Sequence, residues 1–136
     1  MGDALMRFQF LEEALKEYIL ASYKFADAMC EERVRFRLTP EQLDRFTLGR
    51  LLEYFARHSK DDKLIADAKR MRKHRNRFVH EAYHIVSKNI DNYTLDWDSL
   101  CKEAERVSFD CTMLYSLIQT QTGLLESWIP RTRTYP

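Results

Sequence analysis

Apolar residues recur at intervals of three and four along most of this chain, the spacing that lines one side of an α-helix. Leu5, Phe8, Leu11, Leu15, Tyr18, Ile19, Phe25 and Met29 trace a first helix that Asp3 is placed to cap and that is expected to end near Glu31. The link Arg33-Val34-Arg35-Phe36-Arg37-Leu38 alternates basic and apolar residues, as a short extended piece or a loop on the core would. Thr39-Pro40-Glu41-Gln42 then opens a second helix: Thr39 can cap, Pro40 suits the first turn and Gln42 completes a capping box. That helix is expected to run to about His58. Ser59, with Asp62 three residues on, repeats the start signal, and Leu64, Ile65, Ala68, Met71, Phe78, Val79, Ala82 and Val86 give a third helix its apolar face. Residues 89–94 read as its exit turn. A fourth helix from near Asp96 turns Trp97, Leu100, Cys101, Ala104, Val107, Cys111, Leu114 and Ile118 inward until Gly123 offers a C-terminal cap. Leu124, Leu125, Trp128 and Ile129 follow as an apolar tail that closes the bundle's end or covers a partner.

The chain has only three glycines and three prolines, and all but Gly49 fall between these stretches or at their ends. The expected fold is therefore all-α: an antiparallel four-helix bundle with a short C-terminal extra helix or apolar tail, in a single domain over residues 1–136. A hydrophobic fraction of 45% is enough for one real core at this length. Cys30, Cys101 and Cys111 are odd in number and form no C-x-x-C pair, so reduced core thiols are expected rather than a disulfide framework or a cysteine zinc site. The first helix carries acids throughout, and no stretch approaches the roughly 18 to 20 uncharged residues of a membrane span. The expectation is a cytoplasmic protein with no membrane contact.

The formal charge of +1 excludes a global pull toward nucleic acid, but charge is unevenly placed. Lys69, Arg70, Arg72, Lys73, Arg75 and Arg77 occur in nine residues without an acid. Such a strip is a solvated helix face or an attraction for an RNA backbone, with the arginines of the 33–37 link as an extension and Phe36 as a base-stacking candidate. His58 and His74 read as a helix C-terminal cation and as part of the solvated basic face.

The segment Arg75-Asn76-Arg77-Phe78-Val79-His80-Glu81-Ala82-Tyr83-His84 carries the chemistry. At about 100° per residue, Arg75 falls within the apolar stripe, where a guanidinium needs an acid, a groove, a second subunit or a phosphate. Asn76 lies one turn before His80 on the same side and can orient that imidazole. Arg75 points about 140° away from His80, so only its long side chain or a second copy of the helix brings both to one phosphate.

Arg75-Asn76-Arg77-Phe78-Val79-His80 resembles the arginine, four to six residues, histidine motif of the HEPN superfamily, including the polar residue that often follows the arginine. The stretch Phe46-Thr47-Leu48-Gly49-Arg50-Leu51-Leu52 is similar to the second helix of such proteins, and the resemblance covers roughly residues 1 to 122. It implies a small helical protein that cleaves RNA without a metal or other cofactor, at a site composed across a homodimer. On that resemblance His80 would move protons to or from the ribose 2′-hydroxyl and the leaving oxygen, Arg75 would steady the phosphoryl charge, and Asn76 would position. Lys69, Arg70, Arg72, Lys73 and Arg77 would hold the RNA. The resemblance further implies a toxin, phage-defence or stress role, with a neutralising antitoxin protein as partner. Toxins of the HepT type place a tyrosine two residues after the histidine, where this chain has Ala82 and then Tyr83, so Tyr83 and His84 are accessory candidates only.

Two other readings use the same residues. His80-Glu81-Ala82-Tyr83-His84 is an H-E-x-x-H sequence, which on a helix can hold zinc with Glu81 as base and Glu103 or Glu105 as third ligand. Against it, no β-sheet is expected beside the helix, and a di-iron bundle would need a second E-x-x-H. Alternatively, the bundle is a non-catalytic dimeric scaffold or nucleotide-binding module in which Arg75 and His80 are structural.

Overall fold

The computed structural model describes residues 2–30, 35–87 and 94–129, and among them the chain is helical with no strand. Five helices follow in order: α1 Gly2–Met29, α2 Pro40–Asp44, α3 Leu48–His58, α4 Asp62–Ser87 and α5 Thr94–Trp128. The all-α bundle expected from the periodicity is the fold that forms.

Its core is one cluster to which all five helices contribute, α2 through Leu43. Phe8, Leu11, Leu15 and Ile19 of α1 meet Leu51 and Phe55 of α3, Met71 and Phe78 of α4, and Val107, Cys111 and Ile118 of α5, all buried. A fully buried side chain of this size contributes about 1.5–3 kcal/mol of apolar transfer, so this cluster dominates the cohesion of the fold. At its centre the Cys111 thiol lies 3.7 Å from the Met71 sulfur, and burial pushes it up to about 12 from an ordinary 9.0. Cys30 and Cys101 are also free thiols, but only partly buried.

Side-chain pairs fix the helix directions. Arg77 with Glu103, Met71 with Cys111 and Asp61 with Gln121 run in opposite order, so α4 and α5 are antiparallel. Phe10 with Tyr115, Glu17 with Gln119 and Phe25 with Trp128 rise together, so α1 and α5 lie parallel. The segment 35–39 returns along α1, held where the Phe36 N–H donates to Asp27 at 3.1 Å. Consequently α1 and α3 also point the same way, with Tyr18 against Phe55 and Tyr23 against His58.

Local chemistry moves several expected boundaries. The second helix is interrupted: α2 carries the Thr39–Gln42 capping box, but the chain turns at Arg45 and restarts at Leu48, where the Thr47 hydroxyl accepts from the Arg50 N–H. The cap of α4 is Asp61 rather than Ser59; its carboxylate accepts from the Leu64 N–H, while the Ser59 hydroxyl accepts from the Asp61 N–H. Gly123 does not end α5, which continues to Trp128. A mid-helix glycine costs about 1 kcal/mol, and the packing of Leu125 on the core and of Trp128 near Phe25 offsets it. Asp3 lies within α1 instead of before it.

Some residues assigned inward face out. Leu5, Met29 and Val79 are exposed, and so are Leu124 and Trp128 of the expected apolar tail. The outer face of α5, opposite the core, carries Phe109, Met113, Leu117 and Leu124, each at least half exposed. Glu31, residues 33 and 34 of the link and most of the 89–94 exit turn lie outside the described residues, as do the side chains of Ala82, Val86, Trp97 and Leu100.

Candidate functional site

Because α3 begins beside Arg72, whose guanidinium lies against Gly49, the later turns of α4 lose the cover of that helix. There Arg75, Asn76, Val79 and His80 line one open groove of about 370 Å³. The three residues expected to carry chemistry are thus neighbours on a single chain, although Arg75 and His80 stand on opposite sides of the groove by helical angle. Val79, 51% exposed, forms its apolar floor.

Arg75 reaches its place between helices because it has an acid to face. Its Nε lies 3.8 Å from Glu12 Oε1 on α1, beyond hydrogen-bond length, with both side chains partly exposed. An ion pair of this length and exposure is worth at most about 1 kcal/mol. The guanidinium is therefore oriented by Glu12 while its remaining donors are available to the groove. No sequence signal points to this acid, since nothing in the 12–75 spacing relates the two helices.

The basic strip divides when placed on the fold. Lys69 and Lys73 are exposed on the face of α4 that also carries Asn76 and His80, an axial row one turn apart. Arg72 spans from this face to α3. Arg70 instead pairs with Asp67 at 3.4 Å. Arg77 donates from Nε to Glu81 at 2.9 Å and from Nη1 to Glu103 at 2.7 Å. Those two acids, Glu81 first, push Arg77 above the ordinary arginine range. Its charge is spent on the α4–α5 contact, so of the five residues assigned to RNA only Lys69, Lys73 and Arg72 keep a positive face near the groove.

The other histidines also have places. His74 lies half-buried with Nδ1 3.8 Å from Glu103, in the α4–α5 contact rather than on a solvated face. His58, the last residue of α3, has Nδ1 2.6 Å from the Tyr54 carbonyl, its ring parallel to Tyr54 and tilted against Tyr23. Tyr83 and His84 belong to α4, but their side chains lie outside the described residues.

Among the described residues no three His, Cys, Asp or Glu side chains come together to hold an ion. Glu81, the base of the zinc reading, and Glu103, one of its two candidate third ligands beside Glu105, are both acceptors for Arg77, and their use at a metal would have to break those bonds. No helix among the described residues is long and apolar enough to cross a membrane. No family model, curated protein or solved structure matches the chain.

Proposed function

We propose that this protein is a metal-independent endoribonuclease of HEPN type, acting as a homodimer in which the α4 grooves of two copies face one another. The observation that carries the reading is the meeting of Arg75, Asn76 and His80 on one solvent-open groove, at the end of a row of exposed lysines. Each part has a task in RNA cleavage. His80 takes the proton of a ribose 2′-hydroxyl, the oxygen attacks the adjacent phosphorus, and the bond to the 5′-oxygen breaks as that oxygen regains a proton. Arg75 carries the charge that builds on the phosphoryl oxygens, and Asn76 orients the imidazole or the phosphate. The products are a 2′,3′-cyclic phosphate and a free 5′-hydroxyl.

The groove is open on its solvent side, and the angle between Arg75 and His80 places them on opposite walls. Across a two-fold axis, the Arg75 of one copy meets the His80 of the other and the open side closes. The resemblance of the motif, rather than any feature of the groove, suggests a toxin, phage-defence or stress role in the cytoplasm with a neutralising protein partner.

A second reading has one observation in its favour. The proximity of Arg75 to Glu12 gives the arginine a structural task, as a non-catalytic scaffold requires. End-labelled RNA incubated with the protein in excess EDTA separates the two. Cleavage to fragments ending in cyclic phosphate supports the nuclease, whereas intact RNA, or cleavage only when zinc is restored, counts against it.

A further inference from the structure

On the α1–α3 side of the bundle, rings and guanidinium groups form a continuous line. Arg50 lies over Phe46 at 4.5 Å from the ring centre. Phe46 meets Tyr54 at 5.0 Å, and Tyr54 carries Arg57 at 5.5 Å. Tyr54 stacks within 7° of the His58 plane at 6.3 Å. His58 touches Tyr23 at 5.0 Å, and Tyr23 meets Phe36 edge-on at 6.5 Å. Phe36 is exposed, while Tyr23, Phe46, Tyr54 and His58 are partly exposed, with Tyr23, Phe46 and Tyr54 resting one side on the core.

The line ends at a cleft of about 280 Å³ between α1 and the returning segment, lined by Tyr23, Lys24, Phe36 and Arg37 among others. Lys24, Arg35 and Arg37 are exposed on the segments that form the cleft, and Arg50 and Arg57 are exposed farther along the line. Among the nearby acids, Asp27 is engaged by the Phe36 N–H, and Glu53 is exposed on α3. Burial raises the Tyr23 hydroxyl above the ordinary tyrosine range, so it remains a neutral donor. At its other end the line approaches the groove: Arg50 follows Gly49, against which Arg72 of the α4 basic row rests.

We infer that this line is a platform for single-stranded RNA, in which unpaired bases stack on Phe36, Tyr54 and their neighbours while Lys24, Arg37, Arg50 and Arg57 meet the phosphates. Alternation of π-faces and cations suits a strand whose bases are free to splay, since every base offers a face. A duplex keeps its bases stacked on one another and offers the rings nothing. Choosing RNA over DNA rests on the ribonuclease reading; the platform itself does not.

The test is fluorescence anisotropy with a labelled oligoadenylate RNA of about twelve nucleotides, alone and annealed to oligouridylate, using the full chain carrying His80→Ala so that the probe stays intact. The single strand should bind at least about ten-fold tighter than the duplex. Phe36→Ala and Tyr54→Ala should each weaken single-strand binding by about 5- to 100-fold. Arg50→Gln and Arg57→Gln should each lower the salt dependence by about one phosphate contact. Folded variants that bind as tightly as the parent, or a duplex bound as well as the strand, would overturn the inference. If Tyr54→Ala melts early, the exposed Arg57→Gln decides in its place. The two proposals fail separately: a chain that cuts RNA but ignores the ring substitutions loses the platform, and one that binds through the rings but never cuts loses the nuclease.

Discussion

Arg75 sits where an apolar residue would be expected, and Glu12 accounts for its position without consuming its charge. If His80 moves protons and Arg75 stabilises the phosphoryl charge, then His80→Ala and Arg75→Ala should each cut RNA cleavage by roughly two or more orders of magnitude with the fold intact. His84→Ala should do far less, as read by single-turnover cleavage of a labelled RNA. Equal loss in His84→Ala, with an unchanged melting temperature, would move the assignment toward a metal site. Glu12→Gln tests the orienting pair: it should cost at most about 1 kcal/mol in urea unfolding, yet tighten RNA binding, because a carboxylate that competes with phosphate for Arg75 is gone. Weaker binding would mean that the orientation by Glu12 matters more than its competition. At this scale the sequence was informative where residues share a helix. Asn76 and His80 follow from a four-residue spacing, whereas Glu12 and the capture of Arg77 by Glu81 and Glu103 depend on which helices meet.

Helix identity was legible because burial on one face imposes a period that the whole stripe repeats. Boundaries were less so. Thr47 is an adequate cap in sequence, but the apolar pattern on either side continues through it, and only the structure reveals that α3 restarts there. Gly123 reads as a stop, and the packing of Leu125 overrides it. Gly49 has a cause of a different kind. A Cβ there would stand 2.7 Å from the Arg72 guanidinium, the flexible end of a long side chain that can swing aside. Gly49→Ala should therefore stabilise α3 by about 0.5–1 kcal/mol and raise the melting temperature by a few degrees, while releasing Arg72. A fall in melting temperature would instead mean that Arg72 is locked in its place against α3. The parallel arrangement of α1 with α3 was beyond reach of periodicity, since it depends on the 35–39 segment folding back along α1.

Among the described residues, large apolar side chains are exposed at Val79 in the groove, along the outer stripe of α5 from Phe109 to Leu124, and also at Leu5, Met6, Phe10 and Met29 of α1, at Phe36 and at Trp128. The proposed composite site would put the subunit contact at the groove. Val79→Asp should accordingly yield a monomer by light scattering at micromolar concentration, and Leu117→Asp should leave a dimer; the reverse pattern would place the subunit contact on α5. The central claim, that Arg75 and His80 act across two copies, has a more direct test. Purified Arg75→Ala and His80→Ala proteins, each inactive alone, are mixed under conditions that exchange subunits, and RNA cleavage is measured. A shared site predicts that the mixture regains about a quarter of wild-type activity, because half the dimers are mixed and each of these holds one intact pairing. A mixture as inactive as its components, beside an active wild type, would contradict the claim and confine the site to a single chain.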